Sequence, residues 1–271
     1  MAKENSAPTR LIAGQKTLLS RTMHDIRYDA VHDEVLVTNP FAQAILVYRG
    51  AVNGEEAPIR VIRGPHTGLK GSFYGGLDRL DIDTVHNEIL VPCQDSILVY
   101  PREANGDVAP IRVIKGPDTE LKGTTTLGVD PVNNVLVVAT GSYLEVGTGQ
   151  KASGGLLIFN RTDEGNVKPR GTIAGPKTGI AQIAQIQMYS PKGWIVAAQQ
   201  GGTQEVEPEG VFVGVWSIHD NGDVGPRWKI AGPKSTMKRP RGVALNPATK
   251  ELIVADMRLN AVLTYYFPEI F

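Results

Sequence analysis

Short apolar runs, each broken by Gly, Pro, Asn or Asp, return along this chain at intervals of about fifty residues. Three signatures each occur five times. The first is an apolar pair closed by glycine: Leu11-Ile12-Ala13-Gly14, Val61-Ile62-Arg63-Gly64, Val113-Ile114-Lys115-Gly116, Thr172-Ile173-Ala174-Gly175 and Lys229-Ile230-Ala231-Gly232. The second is a β-branched run: Val35-Leu36-Val37, Ile89-Leu90-Val91, Val135-Leu136-Val137, Trp194-Ile195-Val196 and Leu252-Ile253-Val254. The third ends on an aromatic: Ile45 to Tyr48, Ile97 to Tyr100, Leu156 to Phe159, Val213 to Trp216 and Val262 to Tyr265. A fourth run lies between the closing glycine and the second signature, as in Leu127-Gly128-Val129-Asp130 and Gly242-Val243-Ala244-Leu245. Runs this short, separated by turn formers, read as strands of a meander.

Four short strands per repeat make one propeller blade. The closing glycines stand 50, 52, 59 and 57 residues apart. The 39 residues after Gly232 lack the first signature, and the opening 14 carry one that belongs to no other blade. The expectation is therefore a single all-β domain over 1–271: a five-bladed β-propeller with four strands per blade. Its blades lie at about 15–64, 65–116, 117–175, 176–232 and 233–271 plus 1–14, the N-terminal strand joining the last blade to close the ring. Closure removes two sheet edges that would otherwise template aggregation. Turns at Asn53-Gly54, Asn105-Gly106, Gly165-Asn166 and Asn221-Gly222 suit tight hairpins, each followed by a proline (Pro58, Pro110, Pro169, Pro226) that opens the next strand.

Composition narrows the function. Lys+Arg and Asp+Glu are both 28, so the formal net charge is zero, and no basic stripe argues for nucleic acid. The single Cys93 excludes an internal disulfide and a Cys/His zinc framework. No apolar run of membrane-spanning length occurs, and the polar N-terminus does not read as a signal peptide, which leaves cytoplasmic and mature exported forms both open.

Two segments, Asn105 to Thr119 and Leu127 to Val138, resemble the bacterial propeller repeats related to NHL repeats and the lactonase-like, gluconolactonase-type propellers. That resemblance implies a propeller over nearly the whole chain. The group includes calcium- or zinc-dependent lactonases, lyases and binding modules, most often with six or seven blades. A divalent metal, calcium or zinc, is thus conceivable, although nothing in the sequence requires a cofactor.

Candidate chemistry lies where the five copies differ. At the start of the innermost strand the blades carry His24-Asp25-Ile26-Arg27, Asp78-Arg79-Leu80-Asp81, Thr125 to Gly128, Ala184-Gln185-Ile186-Gln187 and Arg241 to Ala244. Alternation puts Asp25 and Arg27 on one face, and likewise Arg79 and Asp81. The loop between second and third strands is long in blade three (Thr140 to Gly154) and blade four (Gln199 to Gly210), which marks a binding face. Asp25, Arg27, Arg79, Asp81, Gln185, Gln187 and Arg241, with Tyr143 and Glu145 from the long loop, are the expected ligand-binding set. Paired Arg, Asp and Gln suit a small polar or anionic organic molecule. A metal-dependent hydrolase or lyase would instead use His24 or Asp81 as base and draw metal ligands from Asp25, Asn39, Asp81 and Asp256. A third reading is a protein-interaction scaffold, with a self-paired channel and an exposed apolar patch near Val206 to Val213. The threonine of the repeated Gly-Pro-X-Thr is expected to bond its own turn. Ser72, Ser142 and Ser153 have no assignable His and acid partners, and Cys93 reads as an apolar filler.

Overall fold

The computed structural model describes residues 7–21, 23–71, 77–141, 154–202, 207 and 209–271. They form a five-bladed β-propeller with only 3-10 turns between strands. Blade 1 is β1 (Asp25–Asp29), β2 (Glu34–Asn39), β3 (Ala44–Arg49) and β4 (Arg60–Ile62). Blade 2 is β5 (Asp81–Asp83), β6 (Glu88–Cys93), β7 (Ser96–Pro101) and β8 (Arg112–Lys115). Blade 3 is β9 (Thr126–Asp130), β10 (Val135–Thr140), β11 (Gly155–Asn160) and β12 (Gly171–Ala174). Blade 4 is β13 (Ile183–Tyr189), β14 (Trp194–Gln199), β15 (Phe212–Ser217) and β16 (Trp228–Ala231). Blade 5 is β17 (Pro240–Asn246), β18 (Glu251–Asp256) and β19 (Ala261–Tyr266). Every pairing is antiparallel between strands consecutive in sequence.

Apolar residues at successive strand positions point to opposite faces, so each sheet feeds two cores. In β2, Leu36 packs toward blade 2 with Ile89, Val91 and Tyr100, while Val37 turns the other way with Leu46 and Tyr48. Similar layers join blades 2 and 3 around Leu90, Val138 and Phe159, blades 3 and 4 around Val137, Ile195 and Trp216, and blades 4 and 5 around Val215, Leu252 and Ile270. A fully buried aliphatic side chain contributes roughly 1.5–3 kcal/mol, so these four layers carry most of the fold.

Three repeated devices set the spacing between layers. First, in the turn between the inner and second strands, buried Asp29 accepts the N–H groups of Val31 (2.9 Å) and His32 (3.1 Å), as Asp83 does from Val85 and His86, and Asp130 from Val132 and Asn133. Second, the threonine after each closing glycine, replaced by Ser235 after Gly232, bonds back to its own turn, as expected: Thr67 Oγ1 donates to the Gly64 carbonyl at 2.7 Å, and Tyr100 of β7 then donates to the Thr67 carbonyl. Third, the Asn-Gly turn does more than close its hairpin. Gly106 lies in a parallel bridge to Ile62 of the preceding blade, Asn105 Oδ1 accepts the Val61 N–H at 2.9 Å, and Asp107 Oδ1 accepts the His66 N–H at 2.7 Å. Each such turn is a clamp on its neighbour's outer strand. The closing glycine is required there: Gly116 has φ +143°, and a Cβ on it would stand 2.3 Å from Asn166 Oδ1.

An ion cluster missing from the sequence reading ties adjacent blades together. Glu88, at the start of β6, accepts a bidentate pair from Arg112 of its own blade (2.6 and 2.7 Å) and a third bond from Arg161 of the next blade at 2.8 Å. Glu34 repeats the arrangement with Arg60 and Arg102. Burial pushes the Glu88 carboxyl up, but the hydrogen bonds and charges of Arg112 and Arg161 outweigh it and hold it below its ordinary value of 4.5.

In the last blade the ladder among the described residues is β17-β18-β19, and the N-terminal segment takes the outer-strand station that precedes blade 1, as expected of the strand that closes the ring, with Ile12 bridged to Gly54 as Ile62 is to Gly106. Among the described residues that segment makes no ladder with β19. Inner strands pack in sequence, β1 on β5, β5 on β9, β9 on β13 and β13 on β17, and the junction from β17 back to β1 is not packed to a comparable extent.

Gly116→Ala is expected to lose about 1–3 kcal/mol of stability by denaturant unfolding. Gly106→Ala, where nothing lies within 4 Å of the added carbon, should lose less; equal losses would deny the clamp its close approach. Glu88→Gln should cost about 3 kcal/mol at neutral pH, because it leaves two buried guanidinium groups short of a charge. Since the folded carboxyl is depressed, its contribution is present above about 4.5 and drains away as pH falls below it. The gap between wild type and variant should therefore narrow in acid, and a constant gap would remove the electrostatic account.

Candidate functional site

Around the axis the inner strands bring together polar residues from four blades. Asp25 of β1 is buried, and its Oδ1 accepts Arg79 Nη1 at 3.1 Å and Gln185 Nε2 at 3.4 Å, while its Oδ2 accepts the Leu80 N–H at 3.1 Å. Arg79 also donates to the Arg241 carbonyl at 3.2 Å. Gln185 Oε1 accepts the Val243 N–H at 2.7 Å, and a Cβ on Gly242 would crowd that oxygen at 3.2 Å. Blades 1, 2, 4 and 5 are thus cross-linked through one carboxylate, one amide and one guanidinium. A buried network of this kind is stable only when its members are paired, and here they largely are.

The network forms the inner wall of a cleft of about 1320 Å³ between blade 1 and blade 5. Asp25, Arg27, Arg79, Gln185, Gln187 and Arg241, six of the nine expected ligand-binding residues, all line it. Arg10 of the N-terminal segment and His24 join them, so the lining carries four arginines and a histidine against the one carboxylate of Asp25. The side chain of Gln187, half-buried, has no hydrogen-bond partner among the described residues. The outer walls are apolar: Ile26, Val35 and Val37 on one side, Ile253, Ala255 and Val262 on the other. Ile26 is 64% exposed and Val262 68%, values foreign to the sealed layers between the other blades.

The remaining candidates are placed differently. Asp81 stands behind Arg27, whose Nε lies 3.7 Å from Asp81 Oδ1 and 3.5 Å from Asp25 Oδ2. Burial pushes the Asp81 carboxyl up, against the pull of Arg27 and of the Val129 N–H that it accepts at 2.9 Å. His24 Nδ1 is 2.5 Å from Asp78 Oδ1, a partner not singled out from the sequence. Burial pushes Asp78 up, but the His24 hydrogen bond with the charges of Arg79 and Arg241 holds it low. Asn39 is tied to Ser20 and to the Leu18 carbonyl. Asp256 accepts four backbone N–H groups, from Lys238, Arg239, Arg258 and Leu259. The four metal-ligand candidates are therefore spread out, and no group of three His, Cys, Asp or Glu among the described residues could hold an ion. Tyr143 and Glu145 lie outside the described residues, as do Ser72, Ser142, Ser153 and Val206.

Two further expectations resolve locally. Of the apolar patch anticipated near Val206 to Val213, the described Phe212 and Val213 are buried in β15, which is sandwiched between blades 3 and 5. Cys93 is buried, accepts the Lys70 N–H at 3.2 Å, and burial raises its thiol, the marks of an inert filler.

No protein-family model matches the chain, and no curated protein does. Solved structures do resemble it in fold. A candidate 6-phosphogluconolactonase from Bacteroides uniformis ATCC 8492 matches with a TM-score of 0.57 at 14% identity, over 90% of this chain and 66% of that one. The β-propeller domain of Myceliophteria thermophila Cps50 (Swd1) matches with a TM-score of 0.53 at 11% identity, over 87% of this chain and 62% of that one. A chain of the nidogen/laminin complex matches with a TM-score of 0.56 at 11% identity, over 90% and 80%. This chain thus spans just under two thirds of the first two. Identities this low establish a shared propeller architecture and nothing finer.

Proposed function

We propose that this propeller is a binding module for a small organic anion, held at the axial end of the cleft between blades 1 and 5. The observation that carries the reading is the cleft lining, where four arginines and an unpartnered amide face one carboxylate. Asp25 is already engaged by Arg79, Gln185 and the Leu80 N–H, so its role is to hold Arg79 in place and not to meet the ligand. Arg241, whose Nη1 donates to Gln200 Oε1, and Gln187 line the cleft and would supply the charge-assisted and neutral hydrogen bonds that orient a carboxylate or phosphate. Placing these groups on inner strands cross-linked by the axial network gives a rigid site, which keeps the ordering cost of binding low.

A hydrolytic or lyase reading, of the kind suggested by likeness to a candidate lactonase, requires converging oxygen ligands or an unpaired base. Arg27 lies between Asp25 and Asp81, and a fixed guanidinium there opposes a divalent cation. His24 and Asp78, a facing pair at the rim, are the groups that reading would have to use.

Small carboxylates, sugar acids and phosphate esters should raise the melting temperature, whereas matched amines should not; a ligand at a hundred times its dissociation constant adds about 2.7 kcal/mol. Arg241→Met should weaken the best anion by roughly tenfold to a hundredfold in calorimetry, the worth of one hydrogen bond to a charged group. Indifference to every anion, or equal affinity in the variant, would sink the reading. Treatment with EDTA should leave the melting temperature in place, and a metal-specific rise would favour the hydrolytic reading instead.

A further inference from the structure

The N-terminal segment Ala7-Pro8-Thr9-Arg10-Leu11-Ile12-Ala13-Gly14 matches, station for station, Ala57 to Gly64 around β4 and Ala109 to Gly116 around β8. Each of those two strands makes two sets of bonds. Toward the next blade, Ile62 and Ile114 bridge to Gly106 and Gly165. Toward its own blade, β4 pairs with β3 and β8 with β7, and Arg60 and Arg112 reach the glutamate that opens the second strand, Glu34 or Glu88. The N-terminal segment makes the first set, through Ile12 to Gly54, Leu11 N–H to Asn53 and Arg10 to the Gly50 carbonyl. Blade 5 holds the counterparts of the second. Its outermost strand β19 has no ladder partner on its outer side among the described residues. Glu251 opens β18 as Glu34 opens β2 and Glu88 opens β6. By alternation it shares a face with Ile253 and Ala255, which line the cleft. Among the described residues its carboxylate accepts the Thr249 hydroxyl and no arginine. Leu11 is 61% exposed, whereas its counterparts Val61 and Val113 are partly buried on the layers that hold Leu46 and Leu98.

We propose that the N-terminal strand is a strap that docks on β19 and gates the cleft, with Arg10 passing to Glu251; the gate rests on the reading of the cleft as an anion site. The register follows from the two repeats. Leu46 stands opposite Val61 and Leu98 opposite Val113, which sets Leu11 opposite Leu263, Ile12 opposite Val262 and Arg10 opposite Thr264. Docking costs no bond to blade 1, because β4 and β8 hold both sets at once. It adds a ladder to an open edge, buries Leu11 on Leu263 and gives Arg10 a carboxylate. The docked strap covers the outer end of the cleft at Val262 and draws Arg10 out of the lining to the far wall. Arg27, Arg79 and Arg241 keep their places in the lining. Undocked, as here, the strap leaves the cleft open. A short strand held by a few backbone bonds opens locally at small cost, which suits it to admit and enclose a ligand.

Leu11→Cys combined with Leu263→Cys should form a disulfide on mild oxidation, because opposite residues of an antiparallel pair stand about 4.5–5.5 Å apart, within disulfide reach. Cys93 is buried and stays out of the exchange. In stopped flow with inorganic phosphate and with succinate, the oxidised double variant should associate at least roughly tenfold more slowly than the reduced one, since only the open fraction admits a ligand. Without any ligand, Glu251→Gln should speed amide exchange over Ala261 to Tyr266 by roughly tenfold, the worth of a charge-assisted hydrogen bond, and Thr249→Ala should not. A cysteine pair that stays reduced, or exchange that Glu251→Gln leaves unmoved, overturns the strap. Equal association rates in the oxidised and reduced forms overturn the gate. If neither anion binds any form, the binding reading fails and the gate with it, while cross-linking and exchange still decide whether the strap docks.

Discussion

Every sheet in this molecule is apolar on both faces, and that one constraint organises the rest. A β-sheet with two greasy faces is stable only when sandwiched, so each blade requires a neighbour on either side, and a circular arrangement is the one that leaves no end. Four of the junctions satisfy the demand with layers of aliphatic and aromatic side chains. At the fifth, blade 1 keeps a smaller cluster around Val37, Leu46 and Tyr48, supported by Ile12 and Leu19 of the N-terminal segment, and blade 5 presents Ala255 and Val262 to open space. The cleft is the place where the sandwiching rule is relaxed, and the candidate site is found there for that reason.

Polar chemistry follows the same geometry. Inner strands converge on the axis, so side chains at their first positions are forced within hydrogen-bond distance of groups on non-adjacent blades. Asp25 meets Gln185 across the molecule, and Arg79 meets the backbone of blade 5. Once desolvated, such groups have to pair, and their pairing stiffens the hub around which the apolar layers are stacked. Further out, Glu34 and Glu88 do for neighbouring blades what the axial network does for opposite ones, each carboxylate collecting guanidinium groups from two blades.

Much of this was legible in the residues. The β-branched and aromatic-ended runs fall on the strands they predict, as do four of the five glycine-closed signatures, the fifth at Leu11 to Gly14 making a single bridge, and the threonine of the repeated turn bonds where a repeated hydroxyl should. Repeats advertise structure because a requirement met five times is written five times. The varying positions pointed the other way: Asp25, Arg27, Arg79, Gln185, Gln187 and Arg241 differ from blade to blade and share one cleft. Asp78 and Arg10 went unread because their significance depends on neighbours distant in sequence. The Glu88 cluster was hidden for a similar reason, since Arg161 reaches it from 73 positions away.

The sequence by itself determined the number of blades, the order and direction of their strands and the chemistry of the turns, because hydrophobic alternation and turn geometry act over a few residues. Tertiary structure alone decided how the ring ends meet and which polar groups face one another. Where the N-terminal segment comes to stand against blade 5 depends on how all five blades stack around the axis, which no local pattern encodes. It likewise decided that Asp256 and Asn39 would satisfy backbone and neighbours while Gln187 faced an open cavity, since each outcome depends on what the far side of the ring brings near.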